Sequence, residues 1–286
     1  MSVEFLGRTY KTPLWVASGT FGWGVEAYEG GYFAESIGAV VSKGVSPLPM
    51  DGAPHPRIAE VNGSCAVLNA IGLQNSGVDG VISKYVPIWA GQDFPAPIWI
   101  NVFAENVKGF TDVISKFVAL EGNDHWLAGF ELNVSCPNVD KGGAEFASDL
   151  EALKNLVSSS KKVASKFPLM VKMSPLLSSP GEVAKVCENS GADAISVSNT
   201  LLSALPEPET NKWSLGRRFG GMSGPALKPL SLRVLAQVRE ATKLPLCGIG
   251  GIRSKHDVQE YLCSGATVVQ VGTANFSNPW VCDELL

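Results

Sequence analysis

The chain has 286 residues, 45% of them hydrophobic and 17% charged, with a formal net charge of -4. That composition supplies a sizeable core and excludes a disordered chain, and a mildly acidic protein without a Lys/Arg run is not built to hold nucleic acid. Met1 leads into a mixed polar segment rather than a basic region and an apolar stretch, and no apolar run reaches membrane-spanning length. The expectation is a cytoplasmic protein with no signal peptide and no membrane span.

Eight short apolar runs follow in order, at 13–19, 39–44, 97–102, 129–136, 169–174, 194–199, 245–250 and 268–273. They are continuous rather than alternating, which suits strands covered on both faces, as in a parallel sheet. Helical patterns lie between them at 148–166, 180–190, 227–242 and 255–264. Pro180 suits a helix start, and Gly191 and Gly265 suit helix stops. Eight β–α units in series predict a single-domain (β/α)8 TIM barrel over residues 1–286. Two connections, 46–89 and 201–222, are too long for simple turns and follow strand C-termini, where barrel active sites lie.

Cysteines 65, 136, 187, 247, 263 and 282 show no C-x-x-C spacing, which excludes zinc-ribbon and iron–sulfur patterns and favours reduced thiols. His55, His125 and His256 share no ligand spacing, so no metal site is predicted, and all three read as surface or loop residues.

Strand C-termini of a barrel converge on one mouth. Those predicted here carry Ser18-Gly19, Lys43-Gly44, Asn101, Asn133 with Cys136, Lys172, Ser198-Asn199-Thr200, Gly250-Gly251 and Gly272-Thr273. Two lysines, several carboxamides and a thiol form a polar mouth with almost no acid. The last two strands end in glycines, where barrels often hold phosphate by backbone N–H groups, and Ser223-Gly224 could add to that pocket. Gly22-Trp23-Gly24-Val25-Glu26-Ala27 formally matches a dinucleotide turn. The next strand ends Ser42-Lys43-Gly44 without the acid that would bind the ribose, so NAD binding by this chain is not expected. Lys43 or Lys172 could form a Schiff base, as in barrel aldolases, or supply fixed positive charge to an anionic ligand or a reduced flavin. Two cations beside a phosphate-type pocket favour the second role.

Together these residues resemble the class 1 dihydroorotate dehydrogenases. The resemblance rests on Ala17-Ser18-Gly19, the stretch from Leu68 to Asn75, Asn133-Val134-Ser135-Cys136-Pro137-Asn138, Val171-Lys172-Met173-Ser174, Ser198-Asn199-Thr200, Gly220 to Ala226, Gly250-Gly251-Ile252 and Gly272-Thr273-Ala274. It implies FMN-dependent oxidation of dihydroorotate to orotate in pyrimidine (UMP) biosynthesis. Cys136 is then the base that removes the C5 proton while a hydride leaves C6, with Lys43 and Lys172 also catalytic. Asn69, Asn133, Asn138 and Asn199 would bond the pyrimidine's amide edge, beside Lys43, Ala70, Ile71, Gly72, Leu73 and Thr200. FMN would lie against Ala17, Ser18, Gly19, Lys43, Gly44, Asn101, Asn133, Lys172, Ser198 and Gly224, its phosphate held by Gly250, Gly251, Gly272 and Thr273.

The loop after Cys136 carries Gly142-Gly143, which resembles the NAD-linked class 1B rather than the fumarate-linked class 1A with its Pro-Gly-Lys-Pro. Class 2, with Ser as base and an N-terminal membrane extension, fits neither feature. The class 1B resemblance implies a homodimer joined by a partner subunit carrying FAD and a [2Fe-2S] cluster, in a heterotetramer. Class 1A and a related flavin barrel on another pyrimidine are the alternatives, and a Schiff-base aldolase using Lys172 is a remoter one. Departures from the pattern are Ser76, where the family usually has Pro, and Ser42 before Lys43. Residues 279–286 resemble the start of a final helix that the family usually completes.

Overall fold

In the computed structural model, residues 2–61, 63, 65–134 and 149–286 are described. A hairpin of β1 (Val3–Phe5) and β2 (Arg8–Tyr10) comes first, followed by β3 (Leu14–Val16), α1 (Val25–Glu29) and β4 (Ala39–Val41). The 46–89 connection holds β5 (Ile58–Glu60), β6 (Val67–Asn69) and α2 (Gly77–Trp89). Then come β7 (Ile98–Val102), α3 (Val107–Val118), β8 (Leu127–Asn133), α4 (Leu150–Ala164), β9 (Leu169–Met173), α5 (Pro180–Asn189) and β10 (Ala194–Val197). The 201–222 connection forms β11 (Leu201–Ser203), β12 (Pro206–Glu207), β13 (Lys212–Trp213) and β14 (Gly220–Ser223). The chain continues through α6 (Lys228–Ala241), β15 (Leu246–Ile249), α7 (Lys255–Cys263), β16 (Val268–Val271) and α8 (Val281–Glu284).

β3, β4, β7, β8, β9, β10, β15 and β16 close in chain order into a parallel barrel, as the apolar runs predict. The strands stop two or three residues before most of the runs do, because the polar ends have already turned into the mouth. Local signals set the helix ends. Asn106 caps α3 by accepting from Gly109 N, Asp149 caps α4 by accepting from Glu151 N and Ala152 N, and Ser254 with Asp257 forms a capping box on α7.

The main core lies between strands and helices, and a second cluster fills the barrel itself. In that second cluster Phe5 and Tyr10 close the N-terminal end against Trp15 and Trp99, with Phe5–Trp15 ring centroids 5.1 Å apart and Trp15–Trp99 stacked at 5.6 Å. Over the other end, the two long connections meet in one antiparallel sheet, ordered β11-β14-β6-β5. No helix among the described residues is long and apolar enough to cross a membrane.

Candidate active site

The strand C-termini and the β11-β14-β6-β5 sheet enclose a cavity of about 260 Å³. Ala17, Ser18, Gly19, Lys43, Gly44, Asn101, Asn133, Lys172, Ser198, Asn199 and Thr200 reach it from the barrel ends, as predicted. Asn69, Ile71, Gly72 and Leu73 line the sheet side, and Gly224, Gly250, Gly251, Gly272 and Thr273 line the far wall. Ala70 departs from expectation. It is fully buried beneath that sheet with Ala53, Leu68 and Leu215, and its N–H donates to Arg57 O. Side chains alternate along a strand, so Ala70 turns away between Asn69 and Ile71. Cys136, Asn138 and the Gly142-Gly143 pair lie outside the described residues.

The amides are held in register. Asn199 Nδ2 donates to Asn133 Oδ1 at 3.1 Å, and Asn199 Oδ1 accepts from Thr200 N at 2.8 Å. Asn69 Nδ2 donates to Gly221 O at 3.1 Å, tying β6 to β14. A Cβ on Gly221 would come within 2.1 Å of Thr200 Oγ1, so glycine is what lets the sheet approach the barrel so closely.

Gly251 has φ +69°, and a Cβ there would lie 2.8 Å from Lys228 Cβ and 2.9 Å from Gly224 O. The backbone of this wall is therefore bare. Thr273 Oγ1 donates to Ser223 Oγ at 2.8 Å, and Tyr261 OH donates to Gly250 O at 2.7 Å, which fixes the glycine turn from behind. Bare backbone between fixed turns is suited to a phosphate group. Asn101 Oδ1 is buried with no partner among the described residues, an acceptor placed to receive a ring N–H from a bound cofactor. These features fit a flavin mononucleotide.

No Asp or Glu is among the described residues lining the cavity, but one acid lies beneath it. Glu131 lies fully buried in β8, and Lys172 Nζ is 3.5 Å from its Oε1. A charged residue inside an otherwise apolar strand was the signal for it, since such a group is buried only with partners. The pairing also weighs against the Schiff-base role, because an ammonium beside a carboxylate is a poor amine nucleophile. Lys43 stands 5.9 Å over the Trp23 ring. Burial pushes its ammonium below the ordinary value; nearby Arg57 adds to that, and Glu26 opposes it.

Other side chains line the cavity without having been singled out, among them Thr20, Ile58, Gln74 and Phe276. Nothing local marks them, because each is brought in by the tertiary path of its loop. The three histidines are exposed, as expected. The five described cysteines are free, and no group of three or more His, Cys, Asp and Glu among the described residues could hold a metal ion.

The Dihydroorotate dehydrogenase family profile matches residues 1–286. A relative from a Geobacter species, named dihydroorotate dehydrogenase B (NAD(+)), catalytic subunit, is 43% identical over 98% of this chain and 88% of its own length. One from Solibacter usitatus, named provisionally as dihydroorotate dehydrogenase A (fumarate), is 40% identical over the same shares. A crystal structure of DHODH from Eimeria tenella in complex with ferulenol superposes with a TM-score of 0.81 at 22% identity, covering 100% of this chain and 83% of that one. With this barrel, this cavity and that match along its whole length, the chain belongs to the dihydroorotate dehydrogenase family.

Proposed function

We propose that this chain oxidises dihydroorotate to orotate with bound FMN and passes the electrons to NAD through a partner subunit. The observation that carries the reading is the cavity itself, where the amides of Asn69, Asn133 and Asn199 meet Lys43 and Lys172 beside bare glycine backbone. A pyrimidine's amide edge presents donors and acceptors alternately, which carboxamides match. FMN, when bound, supplies the ring nitrogen that accepts the hydride from C6.

Cys136 takes the C5 proton as general base, and Asn138 completes the amide set around the substrate. An unperturbed thiol has a pKa of about 8.5, so turnover rises with pH unless the surroundings lower that value. Lys43 supplies positive charge to substrate and cofactor together. Lys172 offsets the charge that reduction brings to the cavity floor, and Gly250, Gly251, Gly272 and Thr273 hold the phosphate. Anaerobic mixing of the FMN-loaded chain with dihydroorotate tests the reading. Bleaching of the flavin band is expected, and a band left unchanged by dihydroorotate would end it.

The acceptor has two readings. Gly142-Gly143 and the name of the Geobacter relative support NAD, reached through a subunit carrying FAD and a [2Fe-2S] cluster in a heterotetramer built on a dimer of this chain. The Solibacter relative supports fumarate. NADH production that appears only when the partner subunit is added supports the first, and efficient fumarate reduction by this chain alone supports the second.

A further inference from the structure

A carboxylate sits inside the barrel at the foot of this cavity, in contact with four other strands. Glu131 has no exposed surface. Its Oε1 accepts from Asn101 Nδ2 at 2.7 Å, and its Oε2 accepts from Ser196 Oγ and from Gln270 Nε2, each at 2.9 Å. Lys172 Nζ stands 3.5 Å from Oε1. Stability alone does not account for this arrangement, since apolar residues of similar volume often replace a buried ion pair without loss.

Its partners suggest what it does. Asn101 and Lys172 line the cavity as well as touching Glu131. Because Asn101 commits its Nδ2 to the carboxylate, the amide cannot flip, and its Oδ1, with no partner among the described residues, stays available as an acceptor. A charge held inside a dry barrel is weakly screened and acts on whatever occupies the space above it.

We propose that Glu131 is a positioning residue of the flavin site. It fixes the Asn101 amide and the Lys172 ammonium at the cavity floor, offsets part of the lysine's charge, and thereby sets the reduction potential of the bound flavin. This rests on the flavin reading of the cavity. Reduction makes the ring electron-rich, so a neighbouring cation favours the reduced form and a neighbouring anion opposes it. Removing the Glu131 charge leaves the lysine's field less opposed.

The test is the flavin midpoint potential of the FMN-loaded protein as wild type, Glu131→Gln and Glu131→Asp, with Tm and flavin content alongside. Glu131→Gln is expected to shift the potential to more positive values. Glu131→Asp, whose shorter side chain withdraws the anion without removing it, is expected to shift it the same way by less. A purely structural Glu131 would lower Tm and flavin content in both variants and leave the potential at the wild-type value, and that result overturns the proposal. Should Glu131→Gln fail to fold, the sign of the Glu131→Asp shift decides. A wild-type chain that takes up no FMN overturns the flavin reading itself, and this proposal with it.

Discussion

At the N-terminal end of the barrel the interior is closed by aromatic rings, whereas at the C-terminal end the same strands present amides and amines. Phe5, Tyr10, Trp15 and Trp99 fill the first end, and their polar link is the bond from Trp99 Nε1 to Tyr10 OH at 3.2 Å. Asn133, Lys172, Ser198 and Asn199 crowd the second. Between them lies the layer of Glu131, Ser196 and Gln270, where charge is tolerated because every carboxylate oxygen is bonded. One set of strands thus separates two jobs along its length: dispersion and burial hold the barrel shut at one end, and desolvated polar groups act at the other. Substitutions at the two ends should therefore fail differently.

The largest effect is expected from the proposed base. Cys136→Ala should keep FMN and slow anaerobic flavin reduction by dihydroorotate about a hundred- to ten-thousand-fold, the usual contribution of a general base. Cys136→Ser should recover a little of this, only at high pH. Reduction of Cys136→Ala at the wild-type rate would remove the thiol from the mechanism.

The matching substitution at the closed end is Trp99→Ala, which opens a cavity in a fully buried aromatic stack. It should lower stability by about 3–5 kcal/mol, seen by urea unfolding, and leave flavin reduction intact in the protein that remains folded. A selective loss of reduction rate without loss of stability would erase the distinction between the two ends.

A smaller effect concerns alkaline pH. Burial pushes the Tyr10 hydroxyl up to about 12 from 10.0, against the opposing hydrogen bond from Trp99. The unfolded phenol ionises first, so the stability that this group contributes is intact below pH 10.0 and is lost as pH rises toward about 12. Tyr10→Phe should flatten that loss while sacrificing about 1 kcal/mol at neutral pH for the missing hydrogen bond. Unfolding midpoints measured against pH decide it, and an unchanged alkaline slope would place the titration elsewhere.

The smallest effect has the opposite slope. Lys43 is pushed below 10.5 by its burial, so the unfolded chain holds this proton more readily. Its destabilisation is present at neutral pH and is relieved as pH rises toward 10.5. Lys43→Met should raise Tm slightly at neutral pH while weakening dihydroorotate binding. A lower Tm in that variant would show that the ammonium supports the fold rather than straining it.

The barrel was legible because its strands are unbroken apolar runs between helical patterns, a local signal. Much of the cavity was legible too, since barrel topology gathers strand ends whatever their separation in sequence. The β1–β2 hairpin was not, because three-residue strands in a mixed polar segment carry no clear period. The β11-β14-β6-β5 sheet was not either, because its register depends on partners far away in the chain. The role of Glu131 is hidden from a local reading for a different reason. Its ammonium partner lies on the neighbouring strand, where Lys172 stands opposite Asn133, two residues beyond the acid and on the same face.

The bond from Asn69 to Gly221 joins positions 152 residues apart. The wall that carries Asn69 therefore cannot acquire its neighbouring strand β14 during synthesis until the sixth barrel strand and the connection after it have emerged. Contacts of such long range form late and slow the search for the native state. Assembly of this wall becomes a checkpoint in chain order: an early-terminated product can hold most of the strands and still lack a closed chamber.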